Sequence, residues 1–116
     1  MVWLCQGQLE RLPARARAAI EGDVLISPIV LLELEYLYEI KRIIQPPQTL
    51  LNQLESQIGL GLCDHPFPSV IQAALFETWT RDPFDRVIVA HAKSNGYAPL
   101  VTSDKDIRKH YNRSVW

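Results

Sequence analysis

Three short apolar runs, at Val24–Ile26, 60–63 and 98–101, alternate with segments that a proline opens as a helix, and this alternation narrows the folds open to the chain. Proline at the first helical position loses nothing, because the N–H it lacks has no partner there anyway. Pro13, Pro28, Pro47 and Pro83 accordingly predict helices over 13–21, 28–44, 47–57 and from Pro83 to Asn95. The apolar runs are three or four residues long and bounded by Gly, Ser or Pro, as expected of strands buried in a parallel sheet. Gly22-Asp23 turns the chain, Gln45-Pro46-Pro47 breaks it, and 64–68 reads as a loop. Ser69 reads as the cap of a helix through Trp79, and a last helical turn spans 105–111. Helices between short strands predict a three-layer α/β/α domain with a parallel sheet covered on both faces. With 116 residues and 47% hydrophobic content, the material suffices for a single domain over 1–116.

The densest chemistry lies in Arg81-Asp82-Pro83-Phe84-Asp85-Arg86 and Leu100-Val101-Thr102-Ser103-Asp104. Asp82 reads as an N-cap, Pro83 as the first helical residue and Asp85 as the third, with Gly96 as the stop. Three, four and seven positions beyond Asp85 stand Ile88, Val89 and Ala92, so Asp85 shares the apolar face, while Arg86 and Lys93 mark a wet one. Asp104 falls just past the carboxyl end of the strand at 98–101, where ligands bind in open α/β sheets. Glu33 stands two residues from Glu35, which with Glu39 and Arg42 forms a solvated stripe, so Glu33 lies on roughly the opposite side among Ile29, Val30, Tyr36, Leu37 and Ile40. A carboxylate there is costly to desolvate unless paired, protonated or bound to a cation, and Glu33 is taken as a ligand.

Each acid also has a purely structural reading. Asp85 can serve as a capping partner in the first turn, Asp104 as the N-cap of the last turn, and Glu33 as a buried ion-pair partner of Arg86. An acid can both cap and ligate, so the first two are compatible with metal binding. Asp82 is assigned as a cap, Asp106 as a surface acid, and His65, His91 and His110 as structural. The Arg15 and Arg17 pair is assigned to a solvated face. The Thr102 hydroxyl, at a strand end, can bond an acid or a water of the site. Carboxylate oxygens with no accompanying Cys or His cluster select Mg²⁺ or Mn²⁺ over zinc. No phosphate-binding glycine loop and no Ser-His-Asp order offers a rival mechanism.

A net charge of −1 gives no global nucleic-acid signature, so any such affinity rests on local cations: Arg81, Arg86, Lys105 and Arg108 cluster beside Asp85 and Asp104. Cys5 and Cys63 form no metal or redox motif, and no signal peptide or run of about 18 apolar residues is found, which predicts a cytoplasmic protein with no membrane association.

Glu33-Leu34 after an Ile26-Ser27-Pro28 strand end, then Asp82-Pro83-Phe84-Asp85-Arg86 with Val89-Ala90-His91-Ala92, then Leu100-Val101-Thr102-Ser103-Asp104, together resemble the PIN-domain (PilT N-terminus) ribonucleases. The likeness is to the toxin half of VapBC-type toxin–antitoxin pairs and runs from Val2 to Trp116. It implies a metal-dependent endoribonuclease that hydrolyses RNA at an acidic Mg²⁺ or Mn²⁺ site, with Glu33, Asp85 and Asp104 as ligands and Thr102 beside them. It also implies a homodimer and a cognate antitoxin protein. Such proteins begin with a central strand ending in Asp, and Val2-Trp3-Leu4 resembles the helix that follows that strand. The expectation is therefore a domain lacking its first strand and first Asp, with a catalytically inactive module that binds antitoxin or RNA as the alternative.

Overall fold

The computed structural model describes residues 3–5 and 24–116. Five strands, β1 (Trp3–Cys5), β2 (Val24–Ile26), β3 (Leu60–Leu62), β4 (Leu100–Val101) and β5 (Ser114–Val115), form one sheet in the order β3-β2-β1-β4-β5, every neighbouring pair parallel. The helices are α1 (Pro28–Glu39), α2 (Pro47–Ile58), α3 (Phe67–Ala74), α4 (Pro83–Ser94) and α5 (Lys105–His110). This is the α/β architecture with a parallel sheet that the alternation of runs and prolines predicts.

The centre of the sheet departs from the sequence expectation. Trp3–Cys5 is a strand, not part of a helix, and pairs with β2 on one side and β4 on the other, Leu4 standing opposite both Leu25 and Leu100. The central slot is thus occupied from within the chain, which overturns the expectation of a missing first strand. Three apolar residues suffice there, because both neighbours supply backbone partners for its N–H and C=O groups. No Asp occurs before Asp23, so the strand is present without the acid. The helix expected at 13–21, the turn at Gly22-Asp23 and the Arg15 and Arg17 pair lie outside the described residues.

Other boundaries moved for local reasons. Helix α1 stops at Glu39 rather than Ile44, because Lys41 takes a left-handed conformation (φ 62°) and the Arg42 N–H closes back onto the Leu37 carbonyl at 2.8 Å. Arg42 therefore leaves the stripe of Glu35 and Glu39. Helix α3 starts at Phe67, two residues before the expected cap Ser69, and ends at Ala74 instead of Trp79. Helix α2 ends on left-handed Gly59 (φ 71°), one residue beyond expectation. Strand β5, unforeseen as a strand, extends the sheet beyond β4.

The core gathers Val24, Ile26, Val30, Leu34, Leu60, Ile88, Val89, Ala92, Leu100 and Ile107. Helix α4 is buried from Val87 through Ala92. Ile88, Val89 and Ala92 belong to the main core, whereas Val87 and Ala90 pack with Val70 and Ala74 of α3. A helix covered on both sides cannot show a single apolar stripe. Among the described residues no helix is long and apolar enough to cross a membrane.

Tyr111 ties the end of α5 to the approach of β4. It is 2% exposed, and its hydroxyl donates to the Ala98 carbonyl at 2.6 Å; burial pushes its pKa up to about 12. Tyr111→Phe orphans that carbonyl and is expected to cost about 1–2 kcal/mol, read as a lowered urea midpoint at unchanged slope. An unmoved midpoint would show that the bond adds nothing.

Candidate functional site

Topology delivers the acids to one edge of the sheet. Chain order reverses direction between β1 and β4, so the crevice beyond their carboxyl ends is the switch point of the sheet. Ser27 follows β2 directly and caps α1, its hydroxyl accepting the Ile29 N–H at 3.4 Å, so α1 leaves from that edge carrying Glu33. Helix α4 ends at Ser94, shortly before β4 begins, which puts its first turn about 18 Å away, at the carboxyl edge. Asp104 follows β4 and opens α5.

The sequence cues at Asp82 and Asp104 act as read. Asp82 Oδ1 accepts the N–H of Phe84 at 2.9 Å and of Asp85 at 3.4 Å. The backbone N–H of Asp82 is in turn held by Thr80 Oγ1 at 3.2 Å. Asp104 Oδ1 accepts the Ile107 N–H at 2.9 Å, while Thr102 Oγ1 accepts the Asp104 N–H at 3.1 Å. Each cap fixes one carboxylate oxygen. Asp85 is 8% exposed and Thr102 1%, so both lie under the surface as their positions imply. Both also make interactions beyond these bonds.

Glu33 shows what the edge does electrostatically. Its pKa is raised, first by burial, then by the charge of Asp82, then by that of Asp104. The carboxylates of Asp82 and Asp104, from two other segments, therefore stand near enough to Glu33 to disfavour its charge. The ion pair with Arg86 is not found: the Arg86 Nε–H donates to the Thr80 carbonyl at 2.8 Å. Lys93 forms a salt bridge with Glu77 at 2.5 Å. Glu33 also sits at the margin of the core rather than in a buried stripe. The fully buried pair on α1 is Val30 and Leu34, while the expected neighbours Tyr36 and Ile40 are exposed.

Asp82 is the acid that sequence reasoning demoted to a cap. Its signal was available, because a residue one turn before Asp85 shares the same helix end. Among the described residues, no three His, Cys, Asp or Glu side chains stand at metal-ligating geometry. The acids converge at the range of repulsion rather than coordination. Hard oxygen donors in surplus, with no cation paired to Glu33, nevertheless fit Mg²⁺ or Mn²⁺ in type and charge.

The four basic candidates separate. Lys105 and Arg108 line one pocket with Lys109, Asn112 and Ser114, whereas Arg81 and Arg86 do not line it. The histidines also separate. His110 is exposed and stacked on Trp79 at 4.8 Å, and His91 is wholly buried with no hydrogen-bond partner for either ring nitrogen.

No curated protein and no solved structure gives a significant match. The family model described as PIN domain matches residues 2–112, almost the whole chain. With the parallel sheet and its acidic carboxyl edge in place, this protein belongs to the PIN domain family.

Proposed function

We propose that this chain is a metal-dependent endoribonuclease of the VapBC toxin type, hydrolysing RNA phosphodiesters at the carboxyl edge of its sheet. PIN domains are in general Mg²⁺- or Mn²⁺-dependent nucleases, which supports nuclease-type chemistry. The observation that carries the reading is the gathering of acids at the carboxyl edge of the sheet, where Asp82 and Asp104 open two helices and their charges bear on Glu33. A surplus of facing carboxylates is costly to the fold and makes sense in a site that receives a cation.

Glu33, Asp85 and Asp104 would hold the ion, with Asp82 beside them. A divalent cation there supplies Lewis-acid polarisation of the phosphodiester and activation of water. The chain's own part is positioning. The capping bonds orient Asp82 and Asp104, and Thr102 fixes the backbone from which Asp104 projects. Arg81, Arg86, Lys105 and Arg108 contact RNA phosphates and set register without reading sequence.

The proposed partners are a cognate antitoxin and a second copy of the chain, in the cytoplasm. Exposed apolar side chains support protein contacts: Leu32 is 62% and Tyr36 58% exposed beside Glu35, Glu39 and Phe84, and Leu75 and Phe76 reach 64% and 83% after α3. A second reading, an inactive module that binds RNA or antitoxin, is favoured by one feature: the central strand Trp3-Leu4-Cys5 carries no carboxylate.

Cleavage of single-stranded RNA decides between them. The toxin reading expects Mn²⁺-dependent cleavage, abolished by chelator and reduced about 100-fold by Asp104→Asn. RNA binding without any cleavage would select the inactive module. Cleavage indifferent to chelator and to Asp104→Asn would overturn the acidic site.

A further inference from the structure

We propose that the pocket lined by Lys105, Arg108, Lys109, Asn112 and Ser114 is a ribonucleotide subsite that holds a backbone phosphate and its ribose next to the acidic edge. The inference rests on the nuclease reading for its ligand, RNA, and gathers two of the proposed phosphate contacts, Lys105 and Arg108, into one pocket with Lys109, Asn112 and Ser114. The pocket has a volume of about 380 Å³ and no carboxylate in its lining. It opens one residue after Asp104, at the carboxyl end of β4, and extends to the start of the edge strand β5.

Helix periodicity places Lys105, Arg108 and Lys109 on one face of α5, at separations of three and four, while Ile107 takes the buried face; buried Tyr111 and then Asn112 follow the end of the helix. Lys105, Arg108 and Lys109 are exposed, and among the described residues none of their three side chains is engaged in a hydrogen bond or ion pair. Three of the chain's 12 lysines and arginines thus stand together on a protein whose net charge is −1.

The helix dipole accounts for part of this. Arg108 and Lys109 lie in the last turn of α5, where cations are favoured, but Lys105 is its first residue, where they are disfavoured. Like charges at three and four residues also repel along the helix. An anion bound between them relieves both costs, and Arg with two lysines and no acid is the chemistry of a phosphate site.

Of the two neutral residues, Ser114 suits the pocket to ribose. Ser114 Oγ donates its hydrogen to the Tyr111 carbonyl at 2.8 Å, so toward the pocket it offers only lone pairs. An acceptor beside a bound phosphate suits the donor of a ribose 2′-hydroxyl, the group that separates RNA from DNA.

The test is anisotropy of fluorescein-labelled single-stranded RNA and DNA of one sequence on the 116-residue chain, in chelator so that no strand is cut. Lys109→Gln is expected to weaken both ligands several-fold at low salt and to flatten the logarithmic salt slope by about 0.7. Ser114→Ala is expected to cut the preference for RNA over DNA several-fold and leave DNA affinity alone. Inorganic phosphate in millimolar amounts should compete in the parent and much less in Lys109→Gln. The subsite is overturned if Lys109→Gln leaves affinity and salt slope unchanged. It is also overturned if phosphate binding needs Lys109 while RNA binding does not, since the pocket then takes a free anion. Mn²⁺-induced stabilisation of the same proteins separates the two proposals: retained in a parent that binds no RNA, it removes the subsite and keeps the cation site, and lost as well, it removes both.

Discussion

Replacing His91 with leucine is expected to stabilise the protein at neutral pH by about 1–3 kcal/mol, because the substitution removes a buried polar group that has no partner. His91 is 0% exposed, neither ring nitrogen has a hydrogen-bond partner, and Asn95 Nδ2 spends its bonds on the His91 carbonyl and Cys63 Sγ instead. Burial drives the His91 pKa down from 6.5 to about 4, and His65 lowers it further, while the Val87 carbonyl one turn back opposes the shift without hydrogen-bond geometry. The sign follows from linkage. The unfolded chain takes up the proton near pH 6.5 and the native state only near pH 4, so the native state is fully stable above that window and loses stability as pH falls through it. Over the window the loss amounts to about 3 kcal/mol. Urea melts of parent and His91→Leu at pH 7 and pH 4.5 read both effects. A variant less stable at pH 7, or an equally steep acid loss in both proteins, would show that the imidazole is satisfied after all.

Glu33→Gln is expected to raise the melting temperature of the metal-free protein and to remove its response to Mn²⁺. Burial and two facing carboxylates disfavour the charged form of Glu33, so a neutral amide of the same shape relieves the repulsion. The parent is expected to gain about 2.7 kcal/mol when Mn²⁺ is present at 100 times its dissociation constant, because the ion binds the native state alone. The same residue thus weakens the empty fold and strengthens the loaded one. A variant with a lower melting temperature, or with an undiminished Mn²⁺ response, would contradict this pairing.

How much of this was legible in the sequence depended on whether the cue was local. Asp82 as cap, Pro83 as first residue and left-handed Gly96 frame α4 almost as read, since caps and breakers act within one turn. The end of α1 was not legible, because it rests on a left-handed Lys41, a conformation that residue type does not signal. Strand β1 was missed because three apolar residues become a strand through β2 and β4, partners remote in sequence. At the site, periodicity placed Asp85 under the surface and the strand end placed Asp104 at the edge. That Asp82 rather than Arg86 bears on Glu33 follows from the packing of α1 against α4, which neither segment encodes alone.

Calorimetric titration of Mn²⁺ into the metal-free protein asks whether the carboxyl edge is a divalent-cation site. Saturable binding is expected, weakened about 10- to 100-fold, by about 1.4–2.7 kcal/mol, in Asp85→Asn and in Asp104→Asn, each still folded by circular dichroism. Equal heats in the parent and both variants, or none in any of them, would contradict it.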